Sequence, residues 1–568
     1  MAADRDSMAA NDKIRRMVIL SVWAVVLLGL PLWWKTTRVY RAELPYESIN
    51  KWKQWETCKP KFPIRVNVHL SEAEQHQSGN NPTLSDVTQG VIKRVQELNT
   101  ARGGKGSLLT VEFIPSKPWT GSSDKDITDR ASAIPGTYDF YISPSNLTHA
   151  SIRSQRQGFI QVQTWSTDHI IETIVETSKA VFGSEEKTIR QLLDTNEDTQ
   201  GVHKVQDQLK TVKYASGYQL TFSLFSGDAS NGVREWKMQE VIHAYLAPFI
   251  KTMSTVSKFT IESQIQHYAS LAFTPQMDYG LQEHYLTPDA LPNFINAAEW
   301  SLASTVSSLP SLNFLTYVPK PNESPLVIKT GPGAPKSSTN SFLIPRWGGI
   351  AILNRDTDRI KEHPELITVK DLEPVMRVFL SQLRDLMGVT DLSTTTQSSS
   401  SFPILFHKAL NEAPTTWELD NLLRRRSAEN LVDSLATISS LAQLVRDTPN
   451  MVVLDHIQKD VTEALQDIGR SCEHLSRQEY VEALAASRDG LVKSETAFFD
   501  PTMVSMLYFP DEHKYAIYMP LFVPISVPLL MSLLREVKRL KEKKQAQQDK
   551  GKDSQSHDNH EDKDDKQE

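Results

Sequence analysis

Cys472 and His474 are the residues whose types first suggest chemistry, because a thiolate beside an imidazole is a common nucleophilic pair. The spacing argues against such a pair, since residues two apart on a helix point in different directions. Catalytic dyads are usually assembled from segments far apart in sequence. Cys58 is the only other cysteine. We therefore predict no thiol nucleophile and expect two unpaired buried thiols; a disulfide is possible if both lie in an oxidising compartment.

Two carboxylates at Asp356 and Asp358 suggest a metal-dependent alternative. They follow the apolar run at residues 350–353, so they could hold a divalent cation through oxygen ligands at the end of a strand. Many membrane-anchored glycosyltransferases place an acidic pair in this way. The pattern is weak evidence, since Asp124 and Asp126 repeat it. We interpret Asp356 and Asp358 as a solvated turn, predict no metal and no cofactor, and keep a lumenal glycosyltransferase as the enzymatic alternative.

Two apolar segments, residues 17–34 and 515–534, flank the stretch of sequence that carries these candidate residues. Each is long enough to cross a hydrocarbon core about 30 Å thick. The sequence therefore predicts two transmembrane helices that enclose one large domain, residues 35–514, on one side of a membrane. A cleaved signal peptide is the alternative for the first segment. Trp33 and Trp34 stand where a small-residue cleavage site is needed, so we expect an uncleaved anchor.

Charge around the second segment predicts its orientation. Lys514 alone lies close before it, whereas six basic residues follow: Arg535, Lys538, Arg539, Lys541, Lys543 and Lys544. Positive flanks stay in the cytosol, so we expect residues 1–16 and 535–568 in the cytosol and residues 35–514 in the lumen. The tail beyond Lys541 has too few apolar residues to form a core and is predicted to be disordered.

The second segment carries Pro520, Pro524 and Pro528 at a four-residue spacing. Each proline removes a backbone hydrogen bond from a helix, and this spacing puts all three along one face. Groups left unpaired in lipid need partners from neighbouring helices, hydroxyls or water. We therefore favour a kinked helix that packs against other membrane subunits over a kinked helix that stands alone.

Composition describes a folded domain without a nucleic-acid signature. Charged residues make up 23% and aromatic residues 8% of the chain, and the net charge of −7 combines both signs. Asn146 and Asn322 begin matches to the N-glycosylation pattern, and Pro325 after the second match should weaken it. Both are candidate glycosylation sites in a lumenal domain.

Hydrophobic periodicity predicts a large mixed α/β domain whose C-terminal part is helical. Residues 64–70 alternate with a period of two, as in a half-buried strand, and an apolar helical stripe follows residue 84. Strands and helices then intersperse, which is typical of a layered α/β domain. Further strands are predicted at 108–114, 138–142, 158–163, 218–224, 257–266, 311–318 and 348–353. Further helices are predicted at 166–194, 234–253 and 291–308, and after about residue 370 at 428–445, 455–468 and 476–496.

Several long stretches resemble the PIG-S family, whose members are subunits of the glycosylphosphatidylinositol (GPI) transamidase of the endoplasmic reticulum. The resemblance extends in order from the first apolar segment to the second. It is carried by residues 29–49 (GLPLWWKTTRVYRAELPYESI), 218–228 (YQLTFSLFSGD), 312–319 (LNFLTYVP), 345–349 (PRWGG) and 497–530 (AFFDPTMVSMLYFPDEHKYAIYMPLFVPISVPLL).

The resemblance implies a non-catalytic scaffold in the endoplasmic reticulum membrane. The family's complex cuts a C-terminal signal from a precursor protein and joins the new carboxyl end to a GPI lipid. Its nucleophilic cysteine lies on a separate, caspase-like subunit, so no catalytic residue is expected here. The implied partners are the other transamidase subunits and membrane lipid, with GPI lipid and precursor protein as indirect ones. A lumenal tether unrelated to GPI remains a further alternative.

Overall fold

The computed structural model describes residues 2–37, 40–71, 82–101, 109–119, 132–193, 211–227, 233–295, 309–355, 365–392, 400–448, 451–505 and 511–557. These residues form two compact units. The smaller unit combines Met1–Pro45, Ser440–Asp460 and Thr496–Glu568. The larger unit combines Tyr46–Ser439 and Val461–Glu495.

The strands, in chain order, are β1 (Phe62–Leu70), β2 (Leu109–Pro115), β3 (Thr137–Pro144), β4 (His149–Ile152), β5 (Gln157–Val162), β6 (Gly217–Ser226), β7 (Glu235–Trp236), β8 (Lys258–Gln266), β9 (Gln276–Asp278), β10 (Glu283–Leu286), β11 (Ser311–Val318), β12 (Leu326–Ile328), β13 (Ser341–Ile344), β14 (Gly348–Ile352), β15 (Leu366–Ile367) and β16 (Ile404–Phe406).

The α-helices are α1 (Ala2–Thr37), α2 (Tyr46–Lys53), α3 (Leu84–Ala101), α4 (Thr167–Leu193), α5 (Met238–Val241), α6 (Ala247–Met253), α7 (Val369–Met387), α8 (Thr416–Asp447), α9 (Asp455–Ser476), α10 (Tyr480–Phe498), α11 (Pro501–Ser505) and α12 (Asp511–His557). The mixture of sheets and helices confirms the predicted α/β class.

A six-stranded sheet in the order β16-β4-β5-β3-β1-β2 combines five strands from residues 62–162 with β16 from late in the chain. Strand β1 pairs in parallel with both β2 and β3, and β3 pairs in parallel with β5. The alternation predicted for β1 is present, since Ile64, Val66 and Val68 are fully buried while Arg65 is exposed. Helices α3 and α4 contact each other, and α3 packs on β1 and β2. The apolar side chains of β1 therefore lie beneath a helical layer.

A second sheet, in the order β13-β14-β11-β6-β8, forms another part of the larger unit. Its central strands β6, β11 and β14 are parallel. All ten residues of β6 are buried, whereas the sequence pattern predicts burial of one face only. Strands of a parallel sheet are covered on both faces, which explains the difference. Helix α7 packs on β14 and begins with a capping box formed by Thr368 and Asp371.

Buried ion pairs attach α8 to the first sheet and to α4. The Arg424 guanidinium donates to both carboxylate oxygens of Glu185, at 2.5 and 2.8 Å, and both side chains are at most 2% exposed. Arg156, at the start of β5, makes a similar two-bonded pair with Asp420, at 2.6 and 2.7 Å. The Tyr138 hydroxyl accepts a hydrogen bond from the Arg424 guanidinium. Burial raises the pKa of this hydroxyl well above its ordinary value. The interior of the larger unit thus depends on paired charges.

Candidate functional site

The first candidate site is the pair of long helices, α1 and α12, in the smaller unit. Within the described part of the chain, one segment, Lys13–Leu32 of α1, has the length and composition needed to cross a membrane. None of that segment is buried within the protein. Val25 and Leu28, for example, are 70% and 79% exposed. Apolar surface of this extent marks a site of membrane or protein interaction.

The second predicted span, residues 515–534, lies inside α12. Pro520, Pro524 and Pro528 all fall within this one helix. Ile517 and Ile525 are 65% and 60% exposed, so the apolar side chains described here also lack a covering layer within the protein. The structure brings the three prolines together on one helix, as the sequence predicts.

Helix α12 continues to His557, although the sequence predicts disorder beyond Lys541. Lys, Glu, Gln and Ala dominate residues 541–549, and all four are good helix formers. A shortage of apolar residues predicts that this segment cannot pack into a core. It does not by itself predict that the backbone leaves the helical conformation, and the disorder of the tail stays a prediction.

A charged contact joins α1 and α12 just before the first apolar segment and just after the second. Glu536 accepts hydrogen bonds from Arg15 at 3.1 Å and from Arg16 at 2.8 Å. The Glu536 side chain is only 9% exposed. The bond from Arg16 holds the pKa of the Glu536 carboxyl below its usual range. The sequence analysis missed this contact, although Glu536 is visible as one of two acidic residues, with Glu542, among the basic residues that follow the second span.

Hydrogen bonds hold the segment that follows α1 in place within the smaller unit. The Tyr40 hydroxyl donates to the Asp455 carboxylate at 2.5 Å, and the Ala42 amide donates to the Val453 carbonyl at 2.8 Å. The hydrogen bond to Asp455 is the main cause that raises the pKa of Tyr40. These contacts hold the residues after the first apolar segment against the start of α9. They attach this segment to the rest of the smaller unit.

The segment that precedes α12 contacts the same stretch at the start of α9. His456, one residue after Asp455, contacts the Asp500 carboxylate at 2.7 Å. Asp500 precedes α11, the last short helix before α12. Hydrogen bonds from Thr502 and His456 lower the pKa of Asp500 against the opposing effect of burial. Residues next to both apolar segments therefore bind neighbouring positions of the smaller unit.

The two cysteines form a disulfide, so the expectation of two unpaired thiols is wrong. Cys58 and Cys472 are bonded with their Cα atoms 6.6 Å apart, across 414 positions of sequence. No local pattern could bring together residues so distant, and that is why the sequence left the pairing open. His474 instead contacts Glu479 at 2.6 Å. Cys472 is therefore a structural residue, and the bond is of the kind that persists in oxidising compartments.

The candidate glycosylation sites lie on the surface. Asn146 is exposed between β3 and β4, and Asn322 is exposed in the short turn Pro321–Glu323. Asp356 and Asp358 fall outside the described residues, as do Asp124 and Asp126. Within the described part of the chain, no three His, Cys, Asp or Glu side chains cluster as metal ligands.

The PRWGG stretch forms a tight turn beside a core cluster. Trp347 is half-buried and packs against buried side chains that include Leu315 and Ile350. Gly348 has a φ of +150°, and a Cβ there would lie 1.8 Å from the Asn313 carbonyl oxygen. Only glycine fits such a close approach of two backbones. The contacts therefore indicate an internal packing role for Trp347.

Comparison with known proteins matches nearly the whole chain to one family. The family model described as "PIG-S: Phosphatidylinositol-glycan biosynthesis class S protein" matches residues 20–543. The chain is 33% identical to "GPI-anchor transamidase component PIGS" of Bos taurus, over 92% of this chain and 94% of the relative. It is 28% identical to "GPI transamidase component PIG-S homolog" of Schizosaccharomyces pombe, over 94% of this chain and 86% of the relative. It is 25% identical to "GPI transamidase component GPI17" of Saccharomyces cerevisiae, over 94% of each chain.

Proposed function

Because this chain belongs to the PIG-S family, we propose that it is a subunit of a GPI transamidase in the endoplasmic reticulum membrane. The observation that carries the proposal is the match over residues 20–543, which includes most of the first apolar segment, all of the second and the whole domain between them. The relatives are named as components of this enzyme. The partners proposed are the other subunits, including a caspase-like catalytic one, and membrane lipid. GPI lipid and precursor protein would be indirect partners.

We infer that the chain is a scaffold without a catalytic residue of its own. Transfer through a thioester needs a free thiolate. The chain has two cysteines, and both sulfur atoms are bonded to each other. Among the described residues, buried charges of the larger unit such as Arg424 and Glu185 are paired within it and hold its elements together. The fastened segments next to the two long helices suit a subunit that holds a domain at a membrane.

Loss of the chain tests this function against a general lumenal tether. Cells that lack it should lose surface display of GPI-anchored proteins, measured by flow cytometry, because the transamidase cannot assemble. A transmembrane protein of the same secretory route serves as the control and should keep its surface level. Normal display of GPI-anchored proteins would favour a tether unrelated to GPI.

We also propose a two-pass topology with both termini in the cytosol. The Arg15–Glu536 and Arg16–Glu536 contacts support it, because they join the outer flanks of both apolar segments. The basic residues after the second segment favour the cytosol for that flank. The disulfide and the exposed Asn146 and Asn322 suit a lumenal position for the larger unit. Each of these observations is independent of the family match.

Glu536 should stabilise the membrane-anchoring helices. In the Glu536→Lys variant a third positive charge replaces the carboxylate that Arg15 and Arg16 share. We therefore expect the purified full-length chain to aggregate at a lower temperature than the wild type. Heating followed by size-exclusion chromatography measures this temperature. Glu542→Lys, in the same helix at an exposed position, is the matched control and should have little effect. Equal behaviour of the two variants would discard the helix contact.

The three prolines are proposed to shape α12 for packing against the membrane helices of other subunits. Replacing Pro520, Pro524 and Pro528 by Ala should reduce the recovery of partner subunits with the tagged chain, measured by quantitative mass spectrometry. Alanine is the better helix former by about 3 kcal/mol per residue, so the loss would not reflect an unfolded helix. Pro31→Ala, within α1, is the control. Unchanged recovery of partners in the triple variant would contradict the proposal.

A further inference from the structure

A cavity of about 340 Å³ lies in the larger unit. It is bounded by α3, β2 and α4, and its walls are mainly apolar: Val95, Leu98, Leu109, Phe113, Val175 and Phe182. Its volume falls in the range of small-molecule sites, roughly 300–1,000 Å³. The scaffold role makes no use of this cavity. It therefore calls for a separate account.

Ser178 supplies a polar group to the cavity. The residue is 8% exposed, and its hydroxyl has no hydrogen-bond partner within the described part of the chain. A buried hydroxyl without a partner costs about 1–3 kcal/mol, so a ligand in the cavity that accepted a hydrogen bond from it would recover part of this cost. Lys179, the next residue of α4, also lines the cavity and is exposed. Among the described residues no carboxylate pairs with it, whereas Glu186 on the same rim is held by Arg190 at 2.9 Å. The rim can therefore offer a positive charge to an anion.

Gly183 keeps the cavity open. It lies in the interior of α4 and lines the cavity, and a Cβ added there would meet no atom within 4 Å. Packing therefore does not require glycine at this position. A glycine in a helix interior costs about 0.8–1.0 kcal/mol relative to alanine. Gly183 lines the cavity, and a larger side chain at this position has open space to enter.

We propose that this cavity binds the alkyl chain of a single-chain amphiphile with an anionic head group. The apolar walls from α3, β2 and α4 take up the chain by burying it from water. The Lys179 ammonium and the Ser178 hydroxyl bind the carboxylate or phosphate at its end. A lipid fits better than a peptide, because the walls supply few polar groups for a peptide backbone. The shared chemistry is one alkyl chain with one anion, from either a fatty acid or a monoacyl phospholipid.

The test uses the full-length chain in lipid nanodiscs and a palmitate that carries a photoactivatable diazirine in its alkyl chain. Cross-linked residues are mapped by mass spectrometry. We expect label on α3, β2 and α4, and competition by unlabelled palmitate, by lysophosphatidate or by both. Competition by palmitate alone assigns a carboxylate, and competition by lysophosphatidate alone assigns a phosphate. Label confined to α1 and α12, or label that neither competitor removes, would overturn the proposal.

Substitutions at the cavity sharpen the test. Gly183→Leu fills the space with a good helix former and should lower the label in the cavity by about tenfold or more, equivalent to at least 1.4 kcal/mol. Gly183→Ala is the matched control that changes the helix but fills little of the cavity, and it should keep the label. Lys179→Gln should weaken labelling by the palmitate probe but not by the corresponding fatty alcohol. Full labelling of the Gly183→Leu variant would contradict a site in this cavity.

Discussion

Replacing Arg424 by Met should destabilise the larger unit by about 3–5 kcal/mol, because Glu185 would become an unpaired buried charge. Both side chains are nearly inaccessible, and Arg424 makes two hydrogen bonds with Glu185 and a third with Tyr138. Among the described residues, Arg424 alone forms an ion pair with Glu185. The expected result is a fall of several degrees in the midpoint of thermal unfolding, followed by tryptophan fluorescence of the detergent-solubilised full-length chain.

Two further variants separate the buried charge from a general effect of losing an arginine. Arg377→Met removes a guanidinium from an exposed pair with Glu373 and should cost at most about 1 kcal/mol. Replacing Arg424 and Glu185 together by Leu removes both charges and should recover much of the stability lost in the single variant. An Arg424→Met variant as stable as Arg377→Met would show that the pair does not hold α8 to α4.

Replacing Cys58 and Cys472 by Ala should also destabilise the larger unit, by about 2–4 kcal/mol, since a disulfide limits the freedom of the unfolded chain. The bond joins the segment after α2 to α9 across 414 positions. We expect a lower midpoint of thermal unfolding for the double variant. If the chain is the non-catalytic scaffold proposed above, the activity of each assembled transamidase should stay unchanged.

A reducing agent gives this prediction its internal control. It should lower the unfolding midpoint of the wild-type chain towards that of the double variant, and it should leave the double variant itself unaffected. A double variant with wild-type stability would mean that the bond contributes nothing to the fold. A transamidase that assembles normally but loses activity with these substitutions would indicate that Cys58 or Cys472 has a catalytic role.

Local patterns predicted the strands well, because the period of two acts over neighbouring residues. Residues 64–70 became part of β1, residues 311–318 became β11, and residues 257–266 became β8. The pattern was less informative for β6, since a strand buried on both faces has no polar face to mark it. Residues 296–308, where part of a helix was predicted, lie outside the described residues. Fold class could therefore be predicted from the sequence, whereas the order of strands could not.

Some features of the candidate site could be predicted from the sequence, and others could not. The three prolines and both apolar segments are contiguous in sequence, so hydropathy and spacing find them. The contact of Glu536 with Arg15 and Arg16 joins residues more than 500 positions apart, and the disulfide joins residues 414 positions apart. No single sequence reveals such pairings, because they depend on the path of the whole chain between the partners. The unpaired Ser178 hydroxyl is hidden for the same reason, since its surroundings come from three separate elements.

Purification of the tagged full-length chain in a mild detergent, with its partners identified by mass spectrometry, tests the central claim most directly. If the chain is a subunit of a GPI transamidase, a caspase-like protease and polytopic membrane subunits should be recovered with it in constant proportion. An unrelated membrane protein carrying the same tag controls for adhesion to the resin. Recovery of the chain alone, in a detergent that preserves such complexes, would contradict the claim that it is a component of this enzyme.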